Sequence, residues 1–360
     1  MKRRRLLALG MVAAMSATMM AGCGGGSSSS APAANDKAET KAEEKAEAKT
    51  EEKADEKASG DAKEYKIAVV PKMTNIGWFQ RMEEGVNDYN KENGTDYVYR
   101  GSAEGADQAG IVEQMLAEDW DAICVVPFDS ESLAPVLEKA REQGIVVITH
   151  EASSMDPKYF DYDIEAFVNA DYGTHFAEAL SDITGGKGSY IQFVGDLNSV
   201  SHNEWCDAAD KYFEANTEMK KLGRYETGDD TTSSYNQTKE LLQANPDITA
   251  IEGSASTDVV GAAQAVDELG LTGKVAVVGT SMTSIARNYV EKDVINTFSV
   301  WDPAKAGQAM IELAIDVLDE GKAPEGLKVE GYDKLTADGT VLYGNARVDV
   351  TKENMDDYDF

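Results

Sequence analysis

The sequence predicts an α/β fold in which two lobes follow each other along the chain, each a doubly wound parallel sheet with helices on both faces. Short apolar runs rich in Val and Ile alternate with longer segments whose apolar residues recur at helical spacing. The apolar runs are continuous, which is typical of strands buried on both faces of a parallel sheet. The same alternation starts again in the second half of the chain, and this repetition predicts the second lobe.

The first lobe is predicted to begin near residue 66. We expect its strands at 66–70, 97–99, 122–126 and 145–148, and its helices at 79–92, 107–118 and 130–143. The third helix illustrates the pattern, since its apolar positions are Leu133, Val136, Leu137 and Ala140. Residues at this spacing share one helix face, so this helix is predicted to pack on a sheet.

The second lobe repeats these features. We expect its strands at 189–194, 248–252, 275–278 and 295–300, and its helices at 172–183, 203–215, 234–243, 259–269 and 304–318. Pro303 lies at the first turn of the last helix and Gly321 follows its final turn, and both residue types favour those positions. A length of 360 residues agrees with two units of this size.

The N-terminal segment has the order of residues typical of a lipoprotein export signal. A basic stretch at 2–5 precedes an apolar run at 6–20, and the small residues Ala21 and Gly22 lead to Cys23. We expect residues 1–22 to be removed and Cys23 to be lipidated, which would anchor the chain on the outer face of the membrane. Met20 departs from the Leu that this pattern prefers. The alternative is an uncleaved anchor, although the run is shorter than the roughly 20 residues that span a bilayer.

Residues 23–64 are predicted to form a spacer between the lipid and the folded part. This stretch is rich in Ala, Lys and Glu, and lysines recur every four residues from Lys37 to Lys57. Like charges four residues apart weaken a helix, and no apolar stripe is present that could dock on another surface. We therefore expect a solvated spacer, with a partner-binding helix as the alternative.

Composition excludes several classes of function. The formal net charge is -31, which opposes binding to nucleic acid. The three cysteines do not form a disulfide framework, because Cys23 is assigned to the lipid and Cys124 and Cys206 lie in apolar strand and helix segments. A nucleophile elbow, a phosphate-binding glycine loop and a helical zinc motif are missing, so no enzyme and no cofactor are predicted.

Candidate ligand-binding residues follow the predicted strands. Ligands of open parallel sheets bind beyond the carboxyl ends of the strands. Aromatic faces together with a few hydrogen-bonding groups suit a small sugar or polyol, so the sequence predicts a binding cleft for such a ligand. The candidates are Lys72, Asn75, Trp78, Phe79, His150, Glu151, Ser201, His202, Asn203, Thr257, Asp258, Ser281 and Trp301. Asp196, Ser254 and Asp302 also follow strands.

Several of these segments resemble one known family. The stretches 69–72, 77–79, 121–123 and 144–148 are similar to those of type I periplasmic sugar-binding proteins of ABC importers. Ser281 and the tail at 347–360 resemble the autoinducer-2 and rhamnose-binding branch of that family. Ser201 and His202 replace the Asp-Gln of autoinducer-2 binders, and residues 253–255 replace a turn that contains proline. The resemblance therefore leaves pentoses, deoxyhexoses, polyols and autoinducer-2 open as ligands.

The resemblance also implies an organisation and a partner. It implies a hinge crossed three times, near 169–171, 299–301 and 323–326, and closure of the lobes about it would trap a ligand. The lobes would then comprise 65–168 with 302–322, and 169–300 with 326–360. Lys72, Trp301 and Glu151 match ligand-contacting or pocket positions of the branch. The implied partner is an ABC permease, and we expect a monomer.

Alternatives from other classes remain open on the sequence. A receptor that presents its liganded form to a sensor kinase, without transport, would carry the same cleft. His150 and His202 with Glu151 would be the candidates for a metal site, but helix-spaced or CxxC ligand patterns are missing, so no metal is predicted. His175 lies inside a helical segment away from the strand ends and is expected to be structural.

Overall fold

The computed structural model describes residues 64–360. The predicted signal peptide, the lipidation site Cys23 and nearly all of the spacer lie outside the described residues. None of the helices in the described part is both long and apolar enough to cross a membrane.

Strands and helices alternate along most of the described chain. The strands are β1 (Ile67–Val70), β2 (Val98–Tyr99), β3 (Ala122–Val125), β4 (Val146–Thr149), β5 (Tyr162–Glu165), β6 (Ser189–Val194), β7 (Lys220–Glu226), β8 (Ile248–Gly253), β9 (Ala276–Gly279), β10 (Phe298–Val300), β11 (Thr336–Asp338), β12 (Val341–Tyr343) and β13 (Val348–Val350). The α-helices are α1 (Gly77–Asn93), α2 (Gln108–Met115), α3 (Ser130–Glu142), α4 (Asn169–Thr184), α5 (Val200–Asn216), α6 (Thr231–Ala244), α7 (Asp258–Glu268), α8 (Thr283–Glu291) and α9 (Pro303–Glu320).

The first sheet has the strand order β2-β1-β3-β4-β5-β12-β11. Its strands are parallel except β11, which forms an antiparallel pair with β12. Every residue of β1 and β3 is buried, as expected for central strands covered on both faces. Helix α9 packs against α1, β1, β3 and β4, so this late helix belongs to the first lobe.

The second sheet has the order β7-β6-β8-β9, and all of its strand pairs are parallel. A bridge between Thr280 and Ser299 places β10 beside β9, and β13 pairs antiparallel with β10. Helices α4 and α5 pack on each other, as do α6 and α7. The α/β fold with parallel sheets, predicted from the alternating pattern, is confirmed.

The chain passes between the sheets after β5, after β10 and between β12 and β13. The expected third crossing at 323–326 is wrong, as is the assignment of all of 326–360 to the second lobe. Strands β11 and β12 form a hairpin around Gly339, which has a positive φ of 63°, and β12 pairs with β5 of the first sheet. The buried side chains of Val341 and Leu342 extend the first core, and this burial keeps the hairpin in the first lobe.

Six elements were missed, because their sequences give little periodic signal: β5, β7, α8, β11, β12 and β13. Strand β5 interrupts its apolar residues with Asp163 and Glu165. Strand β7 is an edge strand whose residues are exposed or half-buried, and it carries charged residues at Lys220, Lys221, Arg224 and Glu226. Helix α8 is only nine residues long. Edge strands do not need the continuous apolar run that identifies buried strands.

The two cysteines of the folded part are free and buried, as the sequence predicted. Burial raises the pKa of both the Cys124 and the Cys206 thiols. A raised pKa keeps each thiol protonated, so both behave as apolar core residues.

Candidate functional site

A cleft lies between the two sheets at the carboxyl ends of their strands, as expected for parallel α/β sheets. The first lobe contributes residues that follow β1 and β4, and the second lobe contributes residues that follow β6, β7, β8 and β9. All of the lining side chains except Ile76 are buried, so the cleft is closed in this structure. The lining residues are Lys72, Ile76, Trp78, Phe79, Glu151, His202, Asp229, Ser254, Ala255, Ser256, Thr280 and Trp301.

Lys72 and Glu151 form an ion pair in the cleft. The Lys72 Nζ lies 2.5 Å from Glu151 Oε2, and each side chain is only 4% exposed. Burial by itself would lower the pKa of Lys72, but the attraction of Glu151 and of Asp229 outweighs burial and raises it. Glu151 has a positive φ of 60°, a conformation that non-glycine residues seldom adopt and that clusters at functional sites.

Aromatic side chains form one wall of the cleft. The rings of Trp78 and Trp301 meet edge to face with centroids 4.5 Å apart, and Phe167 and Trp205 pack behind Trp301. The Trp301 Nε1 is buried without a hydrogen-bond partner among the described residues. Trp301 therefore contributes a ring to the cleft, and its indole donor is not used by an acceptor in the described part of the chain.

His202 is held as a neutral donor. The backbone N–H of Gly195 donates to His202 Nδ1 at 3.1 Å, so Nδ1 is the acceptor and the neutral ring carries its proton on Nε2. Burial, followed by the charge of Lys72, holds the pKa of His202 well below its ordinary value. The ring therefore stays neutral at physiological pH and can donate through Nε2.

Asp229 lines the cleft although the sequence pattern did not select it. It follows the edge strand β7, and the missing apolar signal of that strand explains the omission. The only local indication is Gly228, which precedes it in a bend of the chain and has a positive φ of 71°. Burial, followed by repulsion from Glu151 and Asp196, raises the pKa of Asp229 to about 6 despite the attraction of Lys72.

Four predicted site residues do not line the cleft, and other protein groups bind the polar atoms of three of them. Asn75 is exposed and does not line the cleft. Asn203 donates to the carbonyl oxygens of Leu197 and Ser199 and accepts from Arg224. Asp258 accepts from the Thr227 hydroxyl at 2.7 Å and from the Ala255 N–H at 2.9 Å, while Ser281 donates to the Ser256 carbonyl. These side chains shape the loops around the cleft.

His150, Ser201 and Thr257 are buried close to the cleft but are not among its lining residues. The His150 ring contacts Trp301 edge to face, and its Nδ1 lies 2.5 Å from the Ile164 carbonyl oxygen. The hydroxyls of Ser201 and Thr257 have no hydrogen-bond partner among the described residues. Their part in ligand binding stays a prediction.

The geometry gives no support to the alternative metal site. His150 Nε2 lies 3.9 Å from Glu151 Oε1, and His202 Nδ1 is occupied by the Gly195 N–H. Within residues 64–360, no three His, Cys, Asp or Glu side chains gather in a way that would hold a metal ion. His175 lies outside the cleft, where its Nε2 is 3.0 Å from Asp349 Oδ1.

Hydrogen bonds join the two lobes beside the cleft. Ser153, which follows β4, donates through Oγ to Glu204 Oε2 of α5 at 2.5 Å. Asn169, the first residue of α4, donates to Ser153 Oγ at 3.0 Å. Within the second lobe, Asn169 also donates to Glu204 Oε2 at 2.8 Å and accepts from Trp205 Nε1 at 2.7 Å. The two bonds made by Ser153 stabilise the closed arrangement of the lobes.

Comparison with known proteins identifies relatives of this chain. A family model described as periplasmic binding protein domain matches residues 67–323. The D-allose-binding periplasmic protein of Escherichia coli is 28% identical over 270 residues, which cover 72% of this chain and 86% of that protein.

Solved structures match over most of the described chain. LsrB from Clostridium saccharobutylicum, in complex with AI-2, has a TM-score of 0.74 at 20% identity and covers 82% of this chain and 100% of its own. A solute-binding protein from Clostridium phytofermentas with bound L-rhamnose has a TM-score of 0.76 at 20% identity. The match covers 82% of this chain and 98% of that protein. Members of this family bind ligands rather than transform them, which agrees with the expectation that the chain is not an enzyme. The chain belongs to the periplasmic binding proteins and has their type I fold.

Proposed function

We propose that this protein captures a small carbohydrate in the closed cleft and delivers it to an ABC permease. The observation that carries the proposal is the convergence of aromatic and hydrogen-bonding side chains from both lobes. The first lobe supplies Trp78 and the Lys72–Glu151 pair, and the second lobe supplies His202 and Asp229. A ligand that touches both sets favours the closed state, because only that state makes all of the contacts.

The chemistry of the lining suits a monosaccharide or polyol. The C–H face of a sugar ring packs on indole rings such as those of Trp78 and Trp301. Its hydroxyl groups are both donors and acceptors, so they match a lining that contains the His202 donor and the acceptor oxygens of Glu151. Relatives named for D-allose and D-ribose support the same class of ligand.

The proposed location is outside the cytoplasm, on the outer face of the cell membrane. The order of basic, apolar and small residues before Cys23 supports export and lipid anchoring. The name of the matching family supports an extracytoplasmic location as well. In this proposal the segment 23–64 links the lipid to the binding domain.

A thermal-shift screen of the purified protein tests the proposal. The panel contains pentoses, deoxyhexoses, hexoses such as D-allose, polyols and autoinducer-2. A ligand that binds only the folded state raises the melting temperature, and a concentration about 100 times Kd adds about 2.7 kcal/mol of apparent stability. At least one member is expected to raise the melting temperature in a concentration-dependent way. No response to any member would overturn carbohydrate binding.

Uptake of the identified sugar separates transport from sensing. A strain that lacks this protein is expected to lose accumulation of the radiolabelled sugar at low concentration. Normal accumulation in that strain would contradict a transport role and favour the sensor-kinase alternative.

A further inference from the structure

We propose that Asp229 determines specificity in the cleft by accepting hydrogen bonds from two hydroxyl groups of the bound sugar. This inference rests on the proposed carbohydrate function, and it specifies which groups of the sugar the site recognises. A sugar with two adjacent free hydroxyls is then preferred over an analogue that lacks one of them.

The backbone places Asp229 at the cleft in a restrained position. Gly228 and Asp229 have φ values of 71° and 54°, so the turn after β7 adopts the left-handed conformation twice in succession. Gly195 lies directly against the carboxyl group, and a Cβ at position 195 would collide with Asp229 Oδ1. The absence of a side chain at Gly195 leaves space for the carboxyl group, and the left-handed backbone at 228 and 229 holds Asp229 in this position.

The carboxyl group has no hydrogen-bond partner of its own. Asp229 is 4% exposed, its Oδ1 is fully buried, and no donor within residues 64–360 reaches this oxygen. A buried polar group without a partner is costly, and a buried ionised carboxylate is more so. Such a group in a ligand cleft indicates that the bound ligand supplies the missing donors.

The charges around Asp229 do not neutralise it. Lys72 attracts Asp229, but it already pairs with Glu151 at 2.5 Å. Asp196 after β6 and Asp258 of α7 are further acids that interact with Asp229, and His202 of α5 is neutral. Burial is the main reason that the pKa of Asp229 rises to about 6, and repulsion from the other carboxylates adds to it, because one cation faces more than one carboxylate.

The state of Asp229 sets a pH dependence with a definite sign. Hydroxyl donors favour the ionised carboxylate. At any pH at which Asp229 is protonated, a sugar can therefore bind in this way only if Asp229 first loses its proton. Affinity is then constant above about pH 6 and falls by up to about tenfold per pH unit below it. His202 and Asp258 add their own dependence, and both are kept when only Asp229 is replaced. Since Asp229 also raises the pKa of Asp258, comparison with a variant reports the titration of Asp229 together with its effect on Asp258.

Calorimetry with the sugar found in the screen tests the inference. Asp229→Asn keeps the shape of the side chain, and Asn tolerates positive φ, but the charge and one acceptor oxygen are lost. This variant is expected to bind about ten to a hundred times more weakly. The matched control is Asp230→Asn, because Asp230 is the exposed neighbour that caps α6 through the Ser233 N–H, and Asn caps helices equally well. Its affinity is expected to match that of the wild type.

Deoxy analogues of the sugar identify the hydroxyls involved. Two analogues are expected to lose affinity for the wild type and to lose less affinity for Asp229→Asn, since the charge and one of the two acceptor oxygens are already removed in that variant. The sugar affinity of the wild type is expected to fall below about pH 6. The affinity of Asp229→Asn is expected to lack the part of this pH dependence that comes from Asp229. Equal affinity of Asp229→Asn and the wild type would overturn the inference while carbohydrate binding stands. A wild type that binds no sugar would overturn the proposed function itself.

Discussion

Lys72 and Glu151 bind each other across the carboxyl ends of two strands of the first sheet, with Nζ and Oε2 2.5 Å apart. Both residues were selected from the sequence as separate ligand contacts. The structure gives them a shared structural role as well, because each neutralises the other in a buried cleft. Their substitution is therefore expected to affect the folded state in addition to ligand affinity.

Replacing either partner alone leaves an unpaired buried charge. Lys72→Met and Glu151→Leu are each expected to lower the free energy of unfolding by about 3 to 5 kcal/mol. The double variant is expected to lose less than the sum, since it buries no lone charge. Urea denaturation of all four proteins measures this coupling. Additive losses would show that the two side chains do not stabilise each other.

Asn203 provides the contrasting case. Its amide group holds the start of α5 through the carbonyl oxygens of Leu197 and Ser199 and also accepts from Arg224. Asn203→Ala is expected to lower the free energy of unfolding by about 1 to 2 kcal/mol. Sugar affinity measured by calorimetry is expected to change by less than about threefold, since this corresponds to under 1 kcal/mol. A hundredfold loss of affinity in a stable variant would restore Asn203 as a ligand contact.

The contacts of Glu204 predict how closure affects ligand release. Glu204→Ala removes the acceptor that joins Ser153 of the first lobe to α5 of the second. The closed state is then less favoured, so dissociation of the sugar is expected to be about five to thirty times faster, corresponding to about 1 to 2 kcal/mol. Stopped-flow fluorescence of the cleft tryptophans measures this rate. Unchanged dissociation would mean that these hydrogen bonds do not hold the lobes together.

The buried carboxyl groups predict how stability without ligand depends on pH. Burial raises the pKa of Asp229 to about 6 and of Glu252 and Asp258 to about 7. Between about pH 4 and 7 the folded chain therefore holds more protons than the unfolded chain, and stability falls as pH rises. The lowered pKa of His202 acts in the opposite direction below about pH 6.5, but the buried carboxyl groups outnumber it, because burial also raises the pKa of Asp163 and of Glu165. The melting temperature is thus expected to be higher at about pH 5.5 than at about pH 7.5, and the reverse order would contradict this balance.

Cys23→Ala tests the predicted anchor. The substitution removes the thiol that the export pattern assigns to the lipid. The wild type is expected to incorporate labelled palmitate and to sediment with membranes, and the variant to do neither. Cys206→Ala is the matched control, because that thiol is buried in the core. Label that persists on Cys23→Ala would contradict the lipoprotein assignment.

Local patterns in the sequence were sufficient to predict the alternating strands and helices and the position of much of the cleft. Continuous apolar runs identified the buried strands, and the carboxyl ends of those strands led to Lys72, Trp78, Glu151, His202 and Trp301, all of which line the cleft. These signals depend only on neighbours along the chain, because burial on both faces of a sheet favours apolar residues at successive positions.

Only the tertiary structure decided which polar groups remain available to a ligand. It brought Lys72 to Glu151, engaged Asp258 and Ser281 with nearby loops, and left Asp229 without a partner. It also placed the hairpin of β11 and β12 in the first sheet. Edge strands carry no continuous apolar run, and hydrogen-bond partners come from distant segments of the chain. Local periodicity therefore encodes neither the pairing of the edge strands nor the choice of hydrogen-bond partners. Both are fixed by the packing of the whole domain.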